Sequence, residues 1–120
     1  MSEPTVDQAY ERGNQLYGEG RIADAVDAWV SAARALTPGD DALAIDLYEN
    51  LGVALWQLGR WSAATRALSR AFDGDPAREQ ALRLIVSCAF RGGRALDGER
   101  LLQTYEASFG AHPEGWTRSR

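Results

Sequence analysis

Apolar residues recur every three or four positions along most of the chain, in six stretches separated by short breaks that contain Gly or Pro. This spacing puts an apolar stripe on one face of a helix, so it predicts six amphipathic helices. The predicted helices run from about Pro4 to Tyr17, Ile22 to Leu36, Asp40 to Leu58, Trp61 to Phe72, Asp75 to Phe90 and Ala95 to Ser108. No run alternates long enough to predict a strand, and we therefore expect an all-α domain.

Two of these helices carry start signals that involve proline. Pro4 is suited to the first position of a helix, with Ser2 or Glu3 before it. Asp75 and Pro76 together predict an N-cap followed by a first helical residue, which would begin the fifth helix there.

Small residues repeat along the chain at a nearly fixed interval. Gly13, Gly20, Ala25 and Ala32 recur 39 residues later as Gly52, Gly59, Ala64 and Ala71, and Gly59 recurs 34 residues later as Gly93. A period of 34 residues indicates a helical repeat, in which small side chains allow two helices to approach. The five extra residues fall between the first two units, and we expect them to lengthen the third helix by about one turn.

The repeats resemble the tetratricopeptide family. The middle copy matches through Tyr48, Leu51, Gly52, Leu55, Gly59, Trp61, Ala64, Leu68, Ala71 and Pro76, and the first through Gly13, Leu16, Gly20, Ala25, Trp29 and Ala32. The third copy is degenerate. Val86 replaces the close-contact glycine of the consensus, Gly98 replaces the packing alanine, and Tyr105 replaces another small residue. The resemblance implies a right-handed α-solenoid of three helix-turn-helix repeats (about residues 6–38, 45–78 and 79–109) in a single domain, 1–110, followed by an irregular tail, 111–120.

The resemblance also implies a concave groove, lined by the first helix of each repeat, that binds an extended or helical peptide of a partner. The groove positions are Tyr10, Asn14, Tyr17, Glu49, Asn50, Val53, Trp56, Gln57, Arg83, Ser87, Phe90 and Arg91. Asn14 and Asn50 carry most weight because a carboxamide both donates to and accepts from a peptide backbone; the alternative is that they are merely polar consensus residues. Tyr17, Trp56 and Phe90 either form an aromatic ladder in the groove or pack between repeats.

Some members of the family clamp a C-terminal carboxylate with basic side chains beside two such asparagines. This chain has Tyr10, Gln80 and Leu84 where those basic groups are expected, so we do not predict a receptor for chaperone tails. Arg83 and Arg91 either supply positive charge from neighbouring positions or are solvated, with Arg83 pairing with Glu79 one turn earlier.

We expect no capping helix after the last helix, so the exposed end of the array is a second candidate surface. We expect Leu96, Leu101 or Tyr105 to be exposed there and to be covered by a second subunit, a partner or the Trp116 tail. The alternative function is therefore a self-associating assembly subunit, including a homodimer similar to a secretion chaperone.

Charge and composition narrow the class of protein. The net charge is −4 and the pI is about 4.9, which disfavours nucleic-acid binding. The charge is −7 over residues 1–50 (ten acids, three arginines) and +3 over residues 51–120 (seven acids, ten arginines). All 13 basic residues are arginine, which is typical of a GC-rich bacterial genome. With no signal-peptide pattern and no long apolar run, we expect a soluble, cytoplasmic protein that does not enter a membrane.

Residues suited to catalysis are few. His112 is the single histidine and lies in the predicted tail, and Cys88 is the single cysteine, at a helical position that favours a buried thiol. The glycine pairs follow helices rather than the strands that precede phosphate-binding loops. We therefore expect no enzyme activity, cofactor or metal, and the leading hypothesis is a protein-interaction adaptor.

Overall fold

The computed structural model describes residues 4–117, which form six helices and no strand. They are α1 (Val6–Gly18), α2 (Ile22–Arg34), α3 (Asp41–Gln57), α4 (Trp61–Gly74), α5 (Glu79–Arg91) and α6 (Ala95–Phe109). The prediction of an all-α fold with six helices is confirmed. None of these helices combines the length and the apolar character needed to cross a bilayer.

Thr5, rather than a residue before Pro4, caps α1. Its Oγ1 accepts a hydrogen bond from the Gln8 amide at 3.1 Å, and the Gln8 side chain accepts one from the Thr5 amide at 2.9 Å. This reciprocal pair satisfies two amides that a helix start leaves unpaired. Pro4 therefore precedes the helix, and its predicted place as first helical residue is wrong; the predicted caps, Ser2 and Glu3, lie outside the described residues.

The fifth helix also begins later than predicted. The Asp75 carboxylate accepts from the Ala77 amide at 3.2 Å, and the Asp75 carbonyl accepts from the Arg78 amide at 3.1 Å. These bonds close a turn at Asp75 and Pro76, and α5 starts at Glu79. The predicted start at residue 75 is wrong because an aspartate that can cap a helix can equally close a turn.

The predicted lengthening of the third helix is confirmed. α3 has 17 residues, whereas α1 and α5 have 13 each. Asp40 occupies the N-cap position, but its carboxylate accepts from the amide and hydroxyl of Thr37, at 2.9 and 3.0 Å, and so holds the preceding turn.

Each helix packs against the next, and α3 also contacts α5, so the three hairpins stack into an elongated solenoid of 58 × 28 × 20 Å. Small residues mark the closest crossings. Leu68 lies against Gly52 in the second repeat, where a Cβ atom would collide with it, and the Phe90 ring lies against Gly98 in the third, where a Cβ atom would make a tight contact. Ala64 and Ala71, the small consensus residues of α4, are fully buried. The repeat pattern thus follows the close approach of helix backbones.

The core is continuous through the first two repeats and into α5. A smaller cluster of Leu82, Val86, Leu102 and Tyr105 closes the far end. Phe109 and Trp116 pack against this cluster, and His112 is only 5% exposed. The segment after α6 is irregular over its described part, as predicted, but it is packed onto the last repeat.

Candidate binding groove

Three carboxamides from three helices line one pocket on the groove side of the stack. Asn14 comes from α1, Asn50 from α3 and Gln80 from the start of α5; Tyr17, Trp29 and Val53 complete the lining. The pocket has a volume of about 210 Å³. We call it the amide pocket. It brings together four of the predicted groove residues, namely Asn14, Tyr17, Asn50 and Val53.

The hydrogen-bonding capacity of this pocket is largely unused. Asn50 Nδ2 donates to the Tyr10 hydroxyl at 3.1 Å, which ties α3 to α1 and fixes the amide. Among the described residues, no side-chain hydrogen bond involves Asn14 or Gln80. Each of those two amides therefore offers two N–H donors and a carbonyl acceptor to whatever enters the pocket.

The pocket walls are held by contacts between helices. Tyr17 OH donates to Gln57 Oε1 at 2.9 Å, across the first and second repeats. The Tyr17 ring lies 5.7 Å from the Trp29 ring, centroid to centroid. The amides thus stand on a preformed surface, which lowers the entropy lost on binding.

The predicted aromatic positions join neighbouring segments. Trp56 Nε1 donates to Ser87 Oγ at 2.9 Å, so the second repeat is bonded to a fully buried hydroxyl of the third. Phe90 lies between Gly98 and Trp116, with 4.6 Å between the Phe90 and Trp116 ring centroids. Together with the Tyr17 bond to Gln57, these contacts favour packing between repeats over a free aromatic ladder.

Glu49 belongs to a repeat junction. Its Oε1 lies 3.3 Å from Arg78 Nη1, and Arg78 also pairs with Asp46 at 2.8 Å and Asp75 at 3.2 Å. The hydrogen bond with Asp46 is the main cause that raises the pKa of Arg78 above its ordinary value. Arg78 thus neutralises Glu49, a residue that the family resemblance placed in the groove.

The two predicted groove arginines are also paired. Arg83 Nε lies 2.9 Å from Glu79 Oε2, which confirms the predicted pair. Arg91 Nη2 lies 3.4 Å from Glu114 Oε2, and Arg91 Nε donates to Ser87 Oγ at 2.9 Å. The carboxamides therefore dominate the polar chemistry of the amide pocket, and the paired arginines lie towards the third repeat.

The far end differs from its prediction in one respect. Tyr105 is only 2% exposed, and its hydroxyl donates to Glu79 Oε2 at 2.6 Å, so its predicted exposure is wrong. Burial, together with the bond to Glu79, raises the pKa of Tyr105 to about 12. Leu101 is partly buried against the core, and Leu96 is 80% exposed. Trp116 of the tail packs against the same cluster as Leu101.

The residues suited to catalysis are engaged in the fold. Cys88 is fully buried, and burial raises the pKa of its thiol. His112 Nδ1 accepts the Glu114 amide at 3.1 Å, so Nε2 carries the proton and donates to the Arg83 carbonyl at 2.9 Å. Among residues 4–117, no three His, Cys, Asp or Glu side chains are arranged to hold a metal.

Two pocket residues were not predicted as site residues. Gln80 stands in the sequence analysis as a replacement for a basic residue, and Trp29 as a consensus position of the first repeat. Trp29 is indeed 2% exposed, and its Nε1 donates to the Tyr10 carbonyl at 3.1 Å, yet one edge reaches the pocket. Gln80 stands where other members of the family have a basic ligand-binding residue, and this position is the sequence signal that marks it as a site residue.

Comparison with known proteins identifies both a family and a fold. A family model described as the bacterial transcriptional activator domain matches residues 6–114. Comparison with curated proteins finds no match.

Three solved structures share the fold at low sequence identity. The Hsp90 co-chaperone Cns1 from Saccharomyces cerevisiae has a TM-score of 0.75 at 16% identity, over 84% of this chain and 32% of that one. The myosin chaperone UNC-45 from C. elegans, in complex with an Hsp90 peptide, has a TM-score of 0.78 at 19% identity, over 92% of this chain and 12% of that one. The first TPR of Spaghetti (RPAP3), bound to the HSP90 peptide SRMEEVD, has a TM-score of 0.71 at 15% identity, over 96% of this chain and 87% of that one.

The chain thus spans about a third of Cns1 and about an eighth of UNC-45, but most of the RPAP3 domain. These likenesses confirm the tetratricopeptide solenoid.

Proposed function

Because this chain belongs to the bacterial transcriptional activator domain family, we propose that it is a non-catalytic module that binds a peptide or helix of a partner protein in its concave groove. The observation that carries the proposal is the amide pocket, in which Asn14 and Gln80 present unused hydrogen-bonding groups. The fold of a domain whose structure holds a peptide supports the same use of this groove.

The proposed ligand is bound through its backbone or an uncharged polar side chain. A C-terminal carboxylate is a poor ligand here, since Tyr10 is bonded to Asn50, Leu84 is 2% exposed, and Gln80 is neutral. Carboxamides pair with either amide or carbonyl groups, which suits a peptide backbone. Tyr17 and Val53 add apolar contact beside the amides.

The proposal also covers the cellular location of the protein, the size of the binding unit and the absence of catalysis. We place the protein in a bacterial cytoplasm, as the family description and the exclusive use of arginine suggest. The three repeats act as one binding unit, since one core runs without a break from α1 into α5 and a second cluster joins α5 to α6. A non-catalytic role agrees with the burial of Cys88 and with the two hydrogen bonds that engage both ring nitrogens of His112.

A displayed library of random peptides tests the groove. Peptides selected on the full chain should bind the double variant Asn14→Ala/Gln80→Ala about tenfold or more weakly, since each lost hydrogen bond is worth roughly 1 kcal/mol. The matched control is Gln15→Ala/Gln103→Ala, which removes two exposed carboxamides outside the pocket. Equal binding by the two double variants would overturn the proposal, provided that both keep the wild-type helical circular dichroism.

A further inference from the structure

Residues 110–117 fold back across α5 and occupy the third-repeat part of the predicted groove. His112 Nε2 donates to the Arg83 carbonyl at 2.9 Å, and the Glu114 carboxylate lies 3.4 Å from Arg91. The Trp116 ring stacks on Phe90, with 4.6 Å between centroids and 13° between planes. Three of the four groove positions predicted in α5 therefore already contact a segment of this chain.

The segment has an ordered internal structure. Gly110 and Gly115 adopt positive φ angles of 87° and 81°, a conformation that favours glycine, and the Gly115 amide donates to the His112 carbonyl at 3.0 Å. Trp116 Nε1 donates to Glu114 Oε2 at 3.0 Å, the same oxygen that faces Arg91. The carboxylate and the aromatic ring, two residues apart, thus form one compact recognition element.

The segment occupies the place that a following repeat takes elsewhere in the stack. Phe90 corresponds to Trp56 across the 34-residue period, and Trp56 contacts Ser87 of the next repeat. At the third repeat, Trp116 provides the equivalent contact to Phe90, and the Arg91 guanidinium lies 6.0 Å from the Trp116 ring centroid. Groove positions of α5 that would face a ligand are thereby covered from within the chain.

The contacts of Glu114 and Trp116 lie near the surface, whereas His112 is buried. The Arg91 and Glu114 side chains are 45% and 20% exposed, and Trp116 is half-buried. An ion pair and a single stacked ring at a surface are weak contacts, so a segment of another protein that supplies the same two contacts can compete for this place.

We propose that residues 110–117 are an intramolecular ligand of the third repeat, and that the partner segment that competes for this place carries the same chemistry: a carboxylate two residues before an aromatic side chain. The carboxylate pairs with Arg91, and the ring stacks on Phe90. This inference rests on the proposed function, since it assigns the groove's third-repeat portion to a defined partner segment and makes binding there conditional on release of the tail.

A labelled peptide with the sequence of residues 109–117, blocked at both ends, serves as the probe against the full chain. The variant Glu114→Gln/Trp116→Ala weakens the internal ligand and should bind the peptide about tenfold more tightly than wild type, since the two contacts it loses are together worth at least about 1.4 kcal/mol. Glu114→Gln alone should give a smaller gain, and it provides the test if the double variant does not fold. Equal affinity of wild type and a folded variant, or no binding to either, would overturn the inference.

Variants of the receptor locate the bound peptide. In the double-variant background, Arg91→Ala should weaken peptide binding about fivefold or more, whereas Arg100→Ala, the loss of an arginine that is 78% exposed on α6, should leave it unchanged. A peptide with the Glu and Trp positions exchanged should bind no better than a scrambled one. Equal effects of the two arginine variants would contradict the assigned place, and a tail-exchanged dimer detected by light scattering would contradict an intramolecular ligand.

The outcome is separable from that of the proposed function. Asn14→Ala/Gln80→Ala alters the amide pocket, whose lining includes neither Phe90 nor Arg91, and should not change binding of the tail peptide. Failure of the tail peptide, while library peptides still depend on Asn14 and Gln80, would overturn this inference alone.

Discussion

The indole of Trp29 fills the space that a Cβ atom at Gly13 would occupy. Its Nε1 also donates to the Tyr10 carbonyl of the same helix at 3.1 Å, so α2 is fixed to α1 by shape and by a hydrogen bond. Because Trp29 lines the amide pocket as well, this contact links the stability of the first repeat to the geometry of the site.

Replacement of Gly13 by alanine should destabilise the protein. The added methyl group must displace a buried ring, and overpacking of this kind costs roughly 1–3 kcal/mol. Urea unfolding followed by circular dichroism measures the loss. Gly18→Ala is the matched control, since nothing lies within 4 Å of a Cβ there; a loss of stability as large as that of Gly13→Ala would contradict the steric explanation.

Ser87→Ala should weaken the joint between the second and third repeats. Ser87 Oγ accepts from both Trp56 Nε1 and Arg91 Nε at 2.9 Å, and the substitution leaves these two donors without it. We expect a loss of about 1–3 kcal/mol in the free energy of unfolding, measured by chemical denaturation. Ser108→Ala, at an exposed position of α6, should change it by less than about 0.5 kcal/mol.

Arg78→Ala should destabilise the protein modestly and in a salt-dependent way. Arg78, just before α5, pairs with Asp46 and Glu49 of α3 and with Asp75. Its side chain is 29% exposed, so the network contributes only about 1 kcal/mol to stability. Thermal unfolding at low and high ionic strength measures this contribution. The difference in melting temperature between variant and wild type should become smaller as the salt concentration rises. A gap that salt does not change would indicate that packing, not charge, dominates. Arg66→Ala, at an exposed position, is the control.

Tyr105 should make the protein sensitive to alkaline pH. Its pKa is about 12 in the folded state against an ordinary value of 10.0, so the unfolded state releases the proton first as pH rises. The stabilisation is complete below pH 10 and is lost between pH 10 and about 12, by up to about 3 kcal/mol. Tyr105→Phe should flatten this part of the pH profile of unfolding; an unchanged slope would contradict the assignment.

The helices were predictable because their apolar spacing is local information. The groove placement of Asn14, Asn50 and Val53 follows instead from the resemblance to the tetratricopeptide family, in which the first helix of each repeat lines the groove. The positions of Gln80 and Trp29 in the pocket depend on how successive repeats are rotated, which one repeat does not encode. The burial of Tyr105 and His112 was missed for another reason: the tail has no periodic pattern, and its contacts join residues more than 20 positions apart.

Packing of each helix mainly against its sequence neighbours has a kinetic consequence. Few contacts require closure of a long loop, so the chain should fold within milliseconds, with helix hairpins forming early. The same topology lets the first repeat open while the other two stay formed, because little beyond α3 holds it. Native-state hydrogen exchange should therefore show that the amides of α1 and α2 exchange through a partial opening, with a lower free energy of opening than the amides of α4 and α5.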